Sequence, residues 1–558
     1  MCRFLLVSIN IEAVLGEVTI GLRREKLEET ARGNGLSDAY TANLARLKEQ
    51  KGSKAAVGLK VLKWVLYSER PLRAEELCHA LAVEMGSQDL DPKNIPVLRT
   101  LLSSCLGLVT VEASSSIVRL VHFTLQEHLL SNPTLFHSPH STIAEVCLAY
   151  LNFGCIRNLS PIVDSAPSTM PLLEYASFYW GEHARMEMTE NVKILALKLL
   201  DSFNKHISAQ LLLLRYTKGY WYHDFKRKGG PIGFTGLHGV AFLGVGEILA
   251  AVLKTKEWDV NATDCTGSTP LTWASRKGHE EVVKLLLEQD GVNPDDADTY
   301  FGQTPLSWAA EKGHEGVVKI LLGREDVDPN RTDTGSGRAP LSWAAANGHE
   351  GVVRILLERE DVDPNKADTD YGRTPLLWAA GWGHEGAVKV LLEREDLNPD
   401  KPDDWYGRTP LSWAAKNGHE RVVGMLLKRE GVDPDHPDIR YYRTPLSLAA
   451  ESGHEAVVKL LLQRQEVDPA KVDCVYGRTP LAWAVECWHE GAQNMLLERV
   501  EVKPAQADAK YDRTPIPWAA EHGREAVAKM LLERKDINPN QGNTDYSSLG
   551  WPTAGMRR

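Results

Sequence analysis

A proline inside a near-constant phrase recurs at positions 270, 305, 340, 375, 410, 445, 480 and 515, every step being 35 residues. The phrases read STPLTWAS, QTPLSWAA, RAPLSWAA, RTPLLWAA, RTPLSWAA, RTPLSLAA, RTPLAWAV and RTPIPWAA, and a weaker copy, TGLHGVAFLG, precedes them at 235–244. A fixed period of this length marks a chain built from one supersecondary unit that buries its apolar face only against its neighbours. Residues 231–540 are therefore one repetitive array, although the length of 558 alone would suggest roughly three or four domains.

One copy shows what each unit builds. Thr304 before Pro305 is a helix start: a hydroxyl at the N-cap, then a proline at the first helical position, where its missing N–H costs nothing. Leu306, Trp308, Ala309 and Ala310 continue a short helix whose small residues let a neighbour approach closely. Gly313 ends it, as the residue able to take a positive φ. A second helix begins at His314-Glu315, with Val317, Val318, Ile320, Leu321 and Leu322 as its apolar face. Asp-Val-Asp-Pro-Asn at 326–330 breaks that helix and opens a turn-rich extension to the next copy.

Helix, turn, helix and projecting turn, opened by Thr-Pro-Leu, resembles the ankyrin repeat, and the T-P-L…A…G-H-E…V…LL pattern runs through residues 231–540. The period is 35 where roughly 33 is usual. The usual His is mostly Ser or Thr (Ser307, Ser342, Ser412), and the following Leu is mostly Trp. With both helices keeping their length, the extra residues fall in the turn. The resemblance implies a mainly α chain with an ankyrin-repeat solenoid of about nine copies at 231–540 and a tail at 541–558. It also implies a surface that binds protein, with no chemistry of its own.

Three residue types recur in register. Histidines stand at 279, 314, 349, 384, 419, 454 and 489. Neighbouring copies sit about 10 Å apart, far beyond the roughly 2 Å bond a metal ligand needs, so each histidine is expected between helices, bonded to a neighbouring backbone. Tryptophans at 273, 308, 343, 378, 413, 483 and 518 point to packing between repeats; a base-stacking platform would need a basic groove beside it. Asp and aromatic residues share the extensions (Asp295-Asp296 with Phe301, Asp368 and Asp370 with Tyr371, Asp403-Asp404 with Tyr406), yet no calcium-loop spacing closes among them. Arg338, Arg373, Arg408, Arg443, Arg478 and Arg513 recur two residues before the proline. Exposed Asp–Arg pairs between neighbouring turns, each worth about 0–1 kcal/mol, are the expected arrangement.

Specificity belongs where the copies differ. Before each helix-ending glycine the pairs include Gly381-Trp382, Lys416-Asn417 and Glu451-Ser452, and the turn tips carry Tyr300, Trp405, Arg440 and Lys510. Trp382 and Trp405 lie outside the tryptophan series, and large aromatics on a variable surface are common interface anchors. The candidate partner-binding residues are Trp382, Trp405, Arg440, Lys416, Glu451 and Lys510; no catalytic, cofactor or metal residue is assigned. The series degrades toward its end, where Trp488 replaces the turn glycine and Arg524 the histidine.

The first 230 residues lack the period. Ala56–Leu66, Leu72–Val83 and Ile95–Cys105 read as helices, Gly107–Val111 and Ile117–Phe123 as a hairpin across Ser114-Ser115-Ser116, and Thr124–Leu130 as a further helix. Three helices and a hairpin make a winged-helix pattern over 56–140. RPLRAEELCHALAVE (70–84), CLGLVTVE (105–112) and VRLVHFTLQEHLL (118–130) resemble the winged helix that follows the NTPase module in fungal NACHT–ankyrin proteins. HSTIAEVCLAYLNF (140–153) and LLEYASFYWGEHAR (172–185) are similar to the helical connector of that family, placed here at 141–230, and FLLVSINIEAVLG (4–16) to the last helical segment of its NTPase module, placed at 1–55.

That resemblance implies nucleotide-driven assembly of a signalling receptor, but no G-x-x-x-x-G-K-[ST] loop is present to cradle phosphates. Gly52-Ser53-Lys54 lacks the first glycine and a preceding strand. The expectation is a chain without its NTPase half that binds no nucleotide. His122 and His128, with Glu127, read as wing-end and helix residues, and Lys218–Lys228 as a linker into the first repeat.

Charge narrows the partner. Residues 1–230 carry 26 basic and 23 acidic side chains, whereas 231–558 carry 38 and 52, a net of −14. Nucleic-acid binding needs a basic stripe. Residues 56–140 hold 7 basic and 8 acidic side chains, which makes a winged-helix DNA-binding regulator the weaker alternative. The acidic repeats favour a protein partner with a basic surface. Eight scattered Cys without C-x-x-C suit a reducing compartment. The run Phe4–Ile9, interrupted by Asn10 and Glu12, is too short for a signal or membrane segment. The expectation is a non-enzymatic, intracellular (cytoplasmic, with the nucleus left open) protein-interaction scaffold with no membrane or nucleic-acid partner. A NACHT-type receptor lacking its NTPase is the alternative.

Overall fold

Helix α1 (Leu36–Lys48) precedes the winged-helix elements α2 (Lys54–Tyr67), α3 (Ala74–Ala82), α4 (Leu98–Ser104), β1 (Val109–Val111), β2 (Val118–Leu120) and α5 (Phe123–Leu130) in the computed structural model. The structure describes residues 19–25, 36–160, 165–216, 233–255, 257–499 and 501–502. Strands β1 and β2 pair antiparallel with Val109 opposite Leu120 and Val111 opposite Val118. Their alternation turns Val109 and Val118 inward and Thr110 and Arg119 to solvent. At Gly58 a Cβ would stand 2.6 Å from the Ser104 carbonyl oxygen, so only glycine lets α2 and α4 meet backbone to backbone. Tyr40, Leu44 and Leu47 bury α1, and Tyr40 Oη lies 2.8 Å from Thr124 Oγ1 in α5. His122 caps α5, its Nδ1 accepting the Thr124 N–H at 3.3 Å, and His128 Nδ1 lies 3.1 Å from Ser37 Oγ. His122 follows the wing strand β2 and His128 lies within α5, the wing-end and helix positions read from the sequence.

Four longer helices follow: α6 (Pro139–Leu151), α7 (Leu173–Met186), α8 (Glu190–Leu200) and α9 (Ile207–Tyr216). Tyr150, Tyr175 and Trp180 are fully buried among them. His206 Nε2–H donates to the Leu151 carbonyl at 3.0 Å, and burial pushes this imidazole down to about 4. Burial, with His140 opposite, pushes His183 down to about 3. Segments 4–16 and 218–228 lie outside the described residues.

The chain divides into two units, residues 1–274 with 281–292 and residues 275–280 with 293–558. The first ends in the helix pair Gly236–Leu243 and Gly246–Thr255, and Pro270–Lys277 with Glu280–Leu287 straddles the boundary. The second contains Pro305–Lys312 with Glu315–Leu322, Pro340–Ala346 with Glu350–Leu357, and Pro375–Trp382 with Glu385–Leu392. Pro410–Asn417 with Glu420–Leu426, Pro445–Ser452 with Glu455–Leu462, and Pro480–Glu486 with Glu490–Leu497 complete it. The copy at Pro515, with Arg513, Trp518 and Lys510, lies outside the described residues.

Each pair forms for the reasons its sequence states. Thr304 Oγ1 accepts the Ser307 N–H at 3.1 Å, and Thr374, Thr409, Thr444 and Thr479 cap their helices in the same way. Ala339 makes no such bond. Gly313 ends its helix at φ +77, and a Cβ there would lie 2.6 Å from His349 of the next repeat, so glycine serves both the turn and the stacking. His349 Nε2–H donates to the Glu311 carbonyl at 2.9 Å. His314, His384, His419, His454 and His489 make the same bond to Arg276, Ala346, Gly381, Lys416 and Glu451 at 3.0–3.1 Å. The histidine series is a set of cross-links between successive repeats.

A second series joins the loops after the second helices. Asn330 Oδ1 accepts the Asp363 N–H at 2.9 Å while its Nδ2–H donates to the Asp361 carbonyl at 2.6 Å. Asn365 does the same with Asn398 at 2.7 Å and Asp396 at 2.8 Å. Asp295, Asp400 and Asp435 occupy the same register, and each leaves a buried Oδ1 without a hydrogen-bond partner.

Candidate partner-binding surface

The projecting turns are held from inside by an Asp–Trp–Arg arrangement that the sequence reading missed. Trp308 Nε1–H donates to Asp298 Oδ2 at 2.8 Å, and Trp343, Trp378, Trp413 and Trp483 bond Asp333, Asp368, Asp403 and Asp473 at 2.6–3.0 Å. The other carboxylate oxygen gathers turn amides: Asp368 Oδ1 takes the Tyr371 N–H at 2.8 Å, and Asp403 Oδ1 takes the Tyr406 N–H at 2.7 Å. Arginines fill the space between rings. The Arg338 guanidinium lies 4.6 Å from the Trp343 ring and 3.8 Å from the Trp378 ring; Arg373 stands 4.7 Å from Trp378 and 4.5 Å from Trp413.

This corrects the expectation of exposed Asp–Arg pairs. Arg338 and Arg373 lie 3.9 Å from Asp368 and Asp403, whose side chains are fully buried. The turn itself encloses each Asp, and the indole N–H satisfies it there. In the repeat with Leu448 no indole is present, yet Asp438 is equally buried: its Oδ1 takes the Tyr441 N–H at 2.8 Å, and Arg408 Nε closes directly on its Oδ2 at 3.2 Å. Arg443 and Arg478 pair within their own repeats, with Glu451 at 2.5 Å and with Glu486. The Asp residues of the turns that the sequence reading assigned to an acidic surface are thus partly interior.

Successive tips are stitched by backbone hydrogen bonds. Thr369 N–H donates to the Ser336 carbonyl at 3.0 Å, Asp404 N–H to Tyr371 at 2.8 Å, Ile439 N–H to Tyr406 at 2.8 Å and Cys474 N–H to Tyr441 at 3.1 Å. The tips therefore form one continuous ridge within the second unit. Glycine closes most of them at positive φ (Gly302, Gly337, Gly372, Gly407 and Gly477), but Tyr442 takes that place at φ +57.

The side chains on the ridge are unusually apolar. Trp405 is 56 % exposed and meets Tyr371 edge-on at 5.9 Å, Ile439 is 63 % exposed, and Tyr442 is also exposed. The Arg440 guanidinium stands 5.5 Å from both the Tyr406 and Tyr441 rings. Trp382, 62 % exposed, ends the helix Pro375–Trp382. Lys416 and Glu451 are more occupied. Lys416 Nζ lies 5.4 Å from the Trp413 ring, with burial lowering its pKa, and Glu451 holds Arg443. Ile439 and Tyr442 were not singled out from the sequence, and Tyr371 was named only as an aromatic beside Asp368 and Asp370. A non-glycine residue in a glycine register was the available signal for Tyr442.

Ankyrin repeats (3 copies) match residues 202–333, 290–368, 325–403, 341–438 and 430–508, and a single Ankyrin repeat matches 511–544. The winged helix domain of GPI inositol-deacylase matches residues 45–142. A comparison with curated proteins finds no match. A winged helix followed by ankyrin repeats is the order implied by the sequence resemblance, in a mainly helical chain. Among the described residues no helix is long and apolar enough to cross a membrane. Ankyrin repeats are typically non-catalytic modules of protein interaction, and their matches span more than half of this sequence. By its repeat register, its helix pairs and these matches, the chain belongs to the ankyrin-repeat family.

Proposed function

We propose that the chain is a protein-interaction scaffold whose partner docks along the turn ridge from Tyr371 to Tyr442, centred on Trp405, Ile439 and Arg440. Tyr442 carries the reading. A side chain in the left-handed region costs about 1–3 kcal/mol, and here it is held where five sister tips use glycine. The strain puts an exposed aromatic beside Ile439 and Arg440, a grouping suited to an interface anchor. Asp370 and Asp404, exposed beside Tyr371 and Trp405, favour a basic rim on the partner. Trp382, Lys416 and Glu451 extend the docking surface in this proposal, and Lys510, outside the described residues, is a further candidate. Nucleotide, nucleic acid and membrane have no part in it, no reaction is assigned, and the cytoplasm is the compartment.

The test is capture of partners by the full chain and by a Trp405→Ala, Tyr442→Gly double variant. The reading expects a protein retained by the wild type and lost by a variant whose circular dichroism is unchanged; full retention by the variant refutes it. A second reading, a receptor relaying through a separately supplied NTPase, draws on the winged-helix match at 45–142 ahead of the repeats. It expects an NTPase among the captured proteins, independent of the ridge variants.

A further inference from the structure

Among the described residues, one group of histidine and carboxylate side chains is close enough to hold a cation. Glu69, His140 and His183 each offer a ligand atom, and the three atoms lie within 4.8 Å of one another. Glu69 follows α2 and is exposed, His140 lies in the first turn of α6 and is half-buried, and His183 in α7 is fully buried. They are 71 and 43 residues apart in sequence, so no local spacing announces them.

The two imidazoles face each other through Nδ1, at 2.9 Å. Nitrogens so placed either share one proton or bind one metal ion. In a tetrahedral zinc site with bonds of about 2.05 Å, two ligand nitrogens stand about 3.3 Å apart, so a small ring rotation changes one arrangement into the other. The far side of His183 is already prepared. Its Nε2 lies 2.9 Å from Tyr175 Oη, which also accepts the Glu69 N–H at 3.1 Å. A metal-bound imidazole gives its other N–H to an acceptor that fixes the tautomer, and Tyr175 Oη is such an acceptor. It leaves the His183 Nδ1 lone pair aimed at His140.

We propose that Glu69, His140 and His183 form a binding site for a divalent transition-metal cation, zinc above all, tying the end of α2 to α6 and α7. Two imidazoles and one carboxylate suit zinc or cobalt and not calcium or magnesium, which take oxygen ligands almost throughout. The exposed side, at Glu69, leaves the fourth position to water. Neither imidazole loses a net proton on binding, because the His140 proton shifts to its Nε2.

Titration of the full chain with Co²⁺, followed by visible absorption and by Zn²⁺ competition, tests the site. One Co²⁺ per chain is expected, displaced by Zn²⁺, lost in His140→Ala and weakened about 10- to 100-fold in Tyr175→Phe. Glu69→Gln weakens binding as well, on an exposed residue whose replacement does not threaten folding. Absence of a stoichiometric site overturns the proposal. So does equal affinity in His140→Ala and Glu69→Gln, which would place the ion on other histidines or on cysteines.

Discussion

Asp400→Asn is expected to tighten one junction between repeats at pH 8 and to leave it unchanged at pH 4. Asn330 and Asn365 show what the position asks for: an oxygen accepting one amide and an N–H donating to one carbonyl of the next loop. Asp400 supplies the oxygen, taking the Asp433 N–H, but its Oδ1 is buried without a partner. A protonated carboxyl can donate in place of the amide; a carboxylate cannot. Burial raises this carboxyl from 3.8 to about 7, the Asp433 amide opposes the rise and the Asp433 charge adds to it. His436 Nδ1 lies 3.6 Å from Asp400 Oδ2.

Because the folded pKa lies above the unfolded one, the folded chain holds the proton between these values, and stability falls as pH rises from about 4 to about 7. The full shift corresponds to about 4 kcal/mol. With the side chain 16 % exposed, solvent and salt reduce this, and about 1–2 kcal/mol is the expected gain for Asp400→Asn at pH 8. Hydrogen exchange at the Asp433 amide reads it locally, as about a 5- to 30-fold rise in protection. A global midpoint is less suitable, because a repeat array need not unfold in one step. Equal protection in the two proteins at pH 8, or lower protection in the variant, refutes the reasoning.

Three further substitutions follow from the same geometry. Ala339→Thr supplies the one missing N-cap among the described Pro-initiated helices from Pro305 to Pro480 and is expected to gain about 1 kcal/mol, seen as a higher urea midpoint. Tyr442→Gly relieves the left-handed residue and is expected to gain about 1–2 kcal/mol by the same measurement while weakening partner capture. Trp413→Phe removes the indole donor from buried Asp403 and is expected to cost about 1–3 kcal/mol, lowering the melting temperature.

The repeat fold was legible because each structural demand is met by a residue type with one strong local role. Proline after threonine, glycine at a positive φ and histidine at a constant offset place both helices and the cross-link. The interior of the turns was not. An Asp stands ten residues before Trp308, Trp343, Trp378, Trp413 and Trp483, a constant spacing that was open to view. It was read as solvated because a charge in a turn usually is; the ring nitrogen and the turn amides that satisfy that carboxylate meet it only in space. The ridge was legible in part. Trp405 stood out as an aromatic beyond the packing series, whereas Tyr442 was marked only by standing in a glycine register, and the backbone angle shows what that costs. Glu69, His140 and His183 were out of reach altogether, since three different elements bring them together.

The most direct test of the scaffold reading is a hydrogen-exchange footprint of the full chain with and without a captured partner. Protection is predicted at the amides of the tips around 369–372, 404–407 and 439–442, with the second helices, which lie away from the ridge residues in sequence, little changed. Protection confined to residues 36–160, with the tips unaltered, would contradict it.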